Sequence, residues 1–268
     1  LENNFTSRDY YNISVVPEYR TQLNTNESIT VRLGGAFDDT NRDEDRLSFV
    51  GDFNWYTQTG DNASRNLYLS YAEATQVAGY TAVGGSTTSG LFRSNNQLQR
   101  EVSKNLELGA SFDEQSWKVD TAVYYRWDNE LTDWTYSFDS TSARSANPVD
   151  IETLGFELIA IKRFDNADVV ASYTYLDKSE DYGIEGVDAS FYALNYPPHR
   201  VTLGLVWFAT DTVEVRIDNE WRKQETNALR NGSDKAFFSH VTLTYSPAQI
   251  EGLNLVLAVD NFWDERFE

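Results

Sequence analysis

Apolar residues recur at every second position along most of the chain, in stretches of about ten residues, the length a tilted strand needs to cross a bilayer. The clearest stretch has Val213, Val215, Ile217 and Trp221 alternating with Glu214, Arg216, Asp218, Glu220 and Arg222. The same rhythm sets Ile29, Val31 and Leu33 against Ser28, Thr30 and Arg32, and Leu47, Phe49, Phe53 and Trp55 against Ser48, Asp52 and Asn54. It continues with Leu106, Leu108, Ala110 and Phe112 against Asn105, Glu107, Gly109 and Ser111, then Trp117, Val119, Val123, Tyr125 and Trp127 against Lys118, Asp120 and Arg126. Leu154, Phe156, Leu158 and Ala160 oppose Gly155 and Glu157. Helical stripes are nearly absent, so the pattern predicts about twelve antiparallel strands. Pro17 falls inside the first, where it withholds a ladder hydrogen bond.

Alternation alone fits a soluble sandwich as well as a membrane barrel, since both turn one face of each strand to an apolar setting. Connector length bears on the choice. Short turns are expected near Thr25, Asp61, Glu114, Asp165, Asp211 and Gln249, with longer connections at 38–46, 77–101, 129–149, 178–198 and 225–235. Short turns at one end and long loops at the other are the habit of outer-membrane barrels. Trp55, Tyr56, Trp127, Trp207 and Trp221 gather near strand ends, where an aromatic girdle would sit. No composition break divides the chain, and "VGGSTTSG" at 83–90 reads as a loop, so residues 1–268 are expected to form a single domain.

The totals remove several function classes. A net charge of −20 disfavours nucleic-acid binding, which needs Lys and Arg to neutralise phosphate. With no Cys there is no disulfide, thiolate metal site or thiol nucleophile. No apolar run is long enough for a transmembrane helix, a test that says nothing of strands. The absence of Met, even at position 1, leads us to expect a piece of a longer chain. No catalytic set stands out: the two His residues, His199 and His240, lie far apart, and there is no P-loop or Gly-x-Ser-x-Gly elbow. "DDTNRDEDR" at 38–46 spaces Asp39, Asn41 and Asp43 like the start of a calcium loop, but Glu44 stands where Gly is wanted and Val50 where the bidentate Glu belongs. We read it as a solvated acidic loop and expect neither metal nor cofactor.

The long connections carry aromatics that no membrane strand requires: Tyr80, Phe92, Trp134, Tyr136 and Phe138, then Tyr182, Phe191, Tyr192 and Tyr196. Aromatic side chains offer large contact area at low entropic cost, which makes these residues candidates for ligand binding; packing of loop on loop is the alternative.

Four segments resemble one family, the TonB-dependent outer-membrane receptors of Gram-negative bacteria. "NNQLQREVSKNLELGASF" at 95–112 is similar to the family's Asn-Pro-x-Leu-x-Pro-Glu-x-Ser-x-x-x-Glu-Leu-Gly segment through Asn95, Leu98, Glu101, Ser103, Glu107, Leu108 and Gly109, with Asn96 and Arg100 in place of the prolines. "ETLGFELIA" at 152–160 resembles the strand carrying Gly-x-Glu, here Gly155 and Glu157. "ASYTYLDKSED" and "NYPPHRVTLGL" resemble a Tyr-x-Tyr-Leu-Asp strand and the Pro-x-His lead-in to the next one. "VDNFWDERFE" at 259–268 resembles the segment that follows the second-to-last barrel strand.

The resemblance implies an all-β fold, an antiparallel transmembrane β-barrel represented in part, about 12 of 22 strands, without the plug domain and the last strand. It implies a receptor in the outer membrane that takes up a scarce, large nutrient (an iron–siderophore complex, cobalamin or an oligosaccharide), bound by the external loops. It also implies coupling to TonB–ExbB–ExbD through a missing N-terminal region, contact with outer-membrane lipid, and no enzymatic activity. Glu107, Glu157, Glu214, Arg216, Asp218 and Glu220 would face the lumen and the plug, and Val215→Arg, on the lipid face, should impair assembly more than Arg216→Ala. The rival readings are a passive porin-like barrel and a soluble β-sandwich that binds carbohydrate.

Overall fold

The computed structural model describes residues 9–138, 143–227 and 229–267. Their strands are β1 (Tyr10–Val15), β2 (Glu18–Asn24), β3 (Glu27–Thr40), β4 (Asp43–Gly60), β5 (Ala63–Val77), β6 (Phe92–Arg93) and β7 (Arg100–Glu114). The order continues with β8 (Trp117–Thr135), β9 (Arg144–Arg163), β10 (Ala167–Asp181), β11 (His199–Thr210), β12 (Val213–Lys223), β13 (Lys235–Tyr245) and β14 (Leu255–Val259). A single helical turn, α1 (Tyr80–Val83), precedes β6. All fourteen strands form one sheet: β1 and β2 both pair antiparallel with β3, β5 pairs antiparallel with β7, the remaining neighbours pair antiparallel in sequence order, and β6 joins β9 in a two-residue parallel bridge. β1 and β14 stand at its two edges, so the sheet is open.

Alternation fixes the faces. In the ladder of β11, β12 and β13, Leu205 pairs with Ile217 and Ile217 with Val241, while one step along Gly204 pairs with Asp218 and Asp218 with His240. One side of the sheet is therefore an apolar surface with Leu33, Leu69, Leu108, Val123, Leu203 and Leu257 all exposed. The other carries the polar set, and the larger cavities open on it. Trp117 and Trp127 lie on the apolar side of β8, ten positions apart. At about 3.3 Å per residue and a tilt near 45° that spans roughly 25 Å, the height of the apolar band of a membrane barrel. Tyr56 departs from the expected girdle: it pairs with Ser28 and Asn66 on the polar side, and its hydroxyl donates to Gln58 at 2.7 Å.

The short turns near Thr25, Asp61, Glu114, Asp165 and Asp211 fall where expected, including Thr25–Asn26, Asp61–Asn62, Gln115–Ser116 and Asp211–Thr212, whereas Gln249 lies in a nine-residue connection, 246–254. The expected long connection at 129–149 is mostly strand, since β8 runs to Thr135 and β9 begins at Arg144, and two other places differ from the sequence reading. The 38–46 segment is no long loop, because β3 runs to Thr40 and β4 resumes at Asp43. Its polar residues are content in a ladder: Asp38 pairs with Arg46 and accepts hydrogen bonds from Tyr10 and Asn12 on β1. Asn41 accepts from the Asp9 amide at 3.1 Å, and Asp43 accepts from the Glu44 amide at 2.8 Å, so the calcium-like spacing does not converge. Among the described residues no group of three or more His, Cys, Asp or Glu side chains could hold a metal. The second difference is at Pro17, where the first strand divides into β1 and β2 with register against β3 unchanged across the break. The bent backbone presses on Gly34, where a Cβ would lie 2.2 Å from the Val15 carbonyl oxygen.

Two cross-strand pairs on the polar side explain the glycines of the family-like motifs. Tyr68 pairs with Gly109 and Tyr124 with Gly155. Each ring lies across its glycine, so that a Cβ would meet it at 2.2 Å and 2.1 Å respectively. The Tyr68 hydroxyl then reaches Glu107 at 2.6 Å. Adding a methyl group at Gly155 must displace the Tyr124 ring, so Gly155→Ala should cost about 1–3 kcal/mol, the usual range for overpacking. In a Tyr124→Ala background the same change should cost at most about 0.5 kcal/mol. Urea unfolding of the full-length protein in bilayers reads the cycle, and equal costs in the two backgrounds would remove the packing explanation.

Candidate functional site

Strands β8 and β9 have 19 and 20 residues, about twice the 9–11 that cross a bilayer. Their far ends stand up as a hairpin at the long-loop end of the sheet. A bulge between Asp128 and Leu131 shifts the register, with Glu130 at φ 57° and its amide donating to Asp150 at 2.9 Å. The extra residue reverses the parity of everything beyond it. Leu131 and Asp133 thus share a side with Val149, where even-numbered Arg126 and Asp128 had shared it with Ile151 and Thr153.

That reversal buries a charge. Asp133 is wholly buried, and its two oxygens accept five hydrogen bonds. Oδ1 takes the amides of Trp134 (2.8 Å), Phe191 (3.1 Å) and Tyr192 (3.1 Å). Oδ2 takes the Ala193 amide and the Tyr182 hydroxyl, both at 3.0 Å. Burial, and after it the nearby Asp133 carboxylate, raise the Tyr182 pKa against the opposing effect of a hydrogen bond with Ser190, so Tyr182 stays a donor at physiological pH. Val149, Ile151 and Ala193 pack beside this knot with Leu131 and Tyr182, forming the buried apolar cluster of the fold. The connection between β10 and β11 is thereby folded back onto the hairpin.

The other long connections join it. Tyr136 exchanges backbone hydrogen bonds with Ala189 (2.8 and 3.2 Å), and the Phe138 amide donates to Asp188 at 2.7 Å. β6 lies along the start of β9, which brings the Phe92 ring edge-on to Trp134 at 5.2 Å and within 6.2 Å of Phe191. Arg144 caps the aromatic group, its guanidinium 4.3 Å from the Phe191 ring centre and 5.9 Å from that of Tyr136. Residues 139–142 of the same connection, and 228 of the 225–235 connection, lie outside the described residues.

Beneath this canopy is a cavity of about 540 Å³ on the polar side of the sheet, walled by Glu101, Arg126, Asp128, Trp134, Lys178 and Tyr192 among others. Glu101 and Asp128 are buried. Glu101 accepts from Gln76 and from the Thr132 amide at 3.2 Å, and Asp128 accepts from Ser103 and from Arg126 at 2.8 Å. Trp134 also walls a neighbouring cleft of about 610 Å³ together with Tyr80 and Phe92.

Of the nine loop aromatics picked out in the sequence, five, namely Phe92, Trp134, Tyr136, Phe138 and Phe191, gather around Arg144, and Tyr192 joins Trp134 at the cavity. Tyr182 and Tyr196 turn inward: Tyr182 ends on Asp133, and Tyr196 lies under the Lys178 ammonium at 4.6 Å. Tyr80, on α1, borders the neighbouring cleft with Phe92 and Trp134. On the polar side lower down, Glu107 and Glu157 border one shallow cavity. Arg216, Asp218 and Glu220 border another, with Arg216 bonded to Asp218 and Glu220 to Arg200, each at 2.6 Å. Glu214 lies on the same side of β12. His240 faces Asp260 at 3.2 Å, while His199 stacks with Tyr173. Sequence reasoning missed Asp133, Asp128, Lys178 and Arg144, and took Glu101 only as a residue of the family-like segment. In a chain with 42 acidic residues, nothing local singles out Asp133 and Asp128, whose burial depends on loops folding over them.

Comparison with known proteins agrees with this architecture. The family model described as TonB dependent receptor-like, beta-barrel matches residues 3–262. No curated protein matches the sequence. Among solved structures, the copper transporter OprC superposes with a TM-score of 0.65 at 15% identity, over 96% of this chain and 43% of that one. A variant of the ferric enterobactin receptor PfeA from Pseudomonas aeruginosa gives 0.65 at 17% identity, over 95% and 40%. The FrpB iron transporter from Neisseria meningitidis gives 0.65 at 14%, over 95% and 41%. At these identities the likeness is one of fold, and the chain spans about two fifths of the length of the structures it matches. A two-faced antiparallel sheet with short turns at one end and a loop canopy at the other, together with a family match over nearly its whole length, places this chain in the TonB-dependent receptor β-barrel family.

Proposed function

We propose that the protein containing this chain is an outer-membrane receptor of a Gram-negative bacterium that imports a scarce, large nutrient: an iron–siderophore complex, cobalamin or an oligosaccharide. In this reading residues 1–268 belong to one barrel domain, the apolar side meets lipid, and TonB with ExbB and ExbD supplies the energy. The observation that carries it is the cavity roofed by three interlocked loops on the polar side of the sheet. A passive pore has no use for such a roof, whereas a receptor that must hold a dilute ligand does. Glu107, Glu157, Glu214, Arg216, Asp218 and Glu220 line the water-filled side and hydrogen-bond a plug. Trp134 and Tyr192, with Tyr80 and Phe92 nearer the outside, meet the ligand; Tyr136, Tyr182 and Tyr196 hold the loops that carry them.

The test is growth of the native host and of a strain lacking the gene, with iron complexes, cobalamin and oligosaccharides each supplied in turn at limiting concentration. The deletion should abolish growth on one of them, and a protonophore should abolish its accumulation in the parent strain. Accumulation that depends on the gene but not on the proton gradient would favour the porin-like alternative.

A further inference from the structure

The long-loop end of the apolar face carries a basic row, and the step taken from it rests on the membrane reading above. Across β11, β12 and β13, Val201 pairs with Trp221 and Trp221 with Phe237. Two residues nearer the long loops, on the same side, His199 pairs with Lys223 and Lys223 with Lys235. With strands about 4.8 Å apart, the three side chains stand in a row roughly 10 Å wide. Both lysines are exposed. His199 shares a hydrogen bond with the Tyr173 hydroxyl through Nδ1 at 2.9 Å, and its ring centre lies 5.2 Å from that of Tyr175, so Nε2 is the ring nitrogen left for another partner.

Like charges directly opposite on one face of a sheet destabilise it, and among the described residues neither Lys223 nor Lys235 forms an ion pair that would offset this. That is out of character for a chain with 42 acidic against 22 basic residues. Elsewhere the sheet gives its cations carboxylates, as it does Arg32 with Glu18, Arg126 with Asp128, Arg200 with Glu220 and Arg216 with Asp218. The height of the row says what completes it. Tyr245, exposed on the same side at the short-turn end of β13, is ten positions from Lys235. At about 3.3 Å per residue and a tilt near 45° that is roughly 23 Å, so the lysines stand where an apolar band of about 25 Å gives way to headgroups. Clusters of Lys and Arg at that level recognise anionic lipid headgroups. A phosphate monoester carries about −1.5 to −2 charges and three acceptor oxygens, enough to serve two ammonium groups at once and turn their repulsion into attraction. Trp221 and Phe237 just below lie where interfacial aromatics meet the start of the acyl chains. We propose that His199, Lys223 and Lys235 form a docking site for one phosphorylated lipid of the outer leaflet, its phosphate monoester held between the two lysines and its chains against Trp221 and Phe237.

The experiment is native mass spectrometry of the full-length receptor in detergent, titrated with bisphosphorylated lipid A, with the same lipid stripped of its phosphates, and with inorganic phosphate. One copy of lipid A should stay bound, and Lys223→Gln combined with Lys235→Gln should weaken it at least tenfold. The dephosphorylated lipid should bind the parent no better than lipid A binds that double variant. Both lysines are exposed, so heat-resistant barrel formation should not change. Lys104→Gln, at a lysine on the same side of β7 that pairs with Glu73, should bind lipid A like the parent. Absence of a lipid A complex, indifference of that complex to the double substitution, equal binding of the dephosphorylated lipid, or an equal loss in Lys104→Gln overturns the assignment. Lysine-dependent binding of inorganic phosphate as tight as that of lipid A would make the site one for a free anion and overturn it too. None of these outcomes touches the receptor reading, which is decided separately by the dependence of growth on the gene and on the proton gradient.

Discussion

Replacing Asp133 with Ala should unfasten the 182–198 connection while leaving the sheet below it folded. The carboxylate accepts from four backbone amides and one phenol, and it is wholly buried. Each buried donor stranded by its loss costs about 1–3 kcal/mol. Several such penalties at one point exceed what the small Val149, Ile151 and Ala193 cluster returns, so the segment should peel off the hairpin until water reaches the amides. Chymotrypsin is the suitable probe, since 182–198 holds aromatic cleavage sites at Tyr182, Phe191 and Tyr192 but no Lys or Arg. Cleavage in the full-length variant should be at least tenfold faster than in the parent, with heat-resistant barrel mobility unchanged. Asp133→Asn keeps one acceptor oxygen and sets an amide donor against the remaining N–H groups, so it should fall between the two. A variant that resists chymotrypsin like the parent would mean that the loop is held by its apolar contacts alone.

The strands and their faces were legible in the sequence because a half-buried strand leaves little choice: slipping the register by one residue would turn every side chain to the wrong side. This is why Glu107, Glu157 and the alternating charges of β12 could be assigned to one face from spacing alone. The same logic fails where a strand leaves the apolar layer. Past the bulge at Asn129 and Glu130 the parity is reversed, and no residue there announces it, since Glu130 in a left-handed conformation is an uncommon choice for that position. An Asp three positions further on is then indistinguishable from the solvated carboxylates around it. At 38–46 the error ran the other way. A run of charges looked like a loop, yet Asp38 with Tyr10, Asn12 and Arg46 satisfies itself across strands. Loop aromatics could be identified by type, but whether they face a cavity or hold a loop depends on contacts tens of residues apart, such as Tyr182 with Asp133 and Phe92 with Trp134.

The second large effect concerns the apolar face and should be graded by depth. Val215 pairs with Trp207 and Leu243, and on the membrane reading proposed above Trp207 would sit in the interfacial belt near the short-turn end. Arginine there can reach the headgroups, so Val215→Arg should cost only about 0–1 kcal/mol. Ile217 lies one step deeper, between Leu205 and Val241, and Ile217→Arg should cost about 2–4 kcal/mol if that row approaches the middle of the bilayer. The matched control is Thr202→Arg: Thr202 pairs with Glu220 on the polar side, where a new cation meets a carboxylate and water instead of lipid. In the full-length receptor the heat-resistant folded band should fall steeply for Ile217→Arg, slightly for Val215→Arg and hardly at all for Thr202→Arg or Arg216→Ala. Equal loss for Ile217→Arg and Thr202→Arg would mean that the two faces see the same solvent, and a sheet wet on both sides is not one that lies in a membrane.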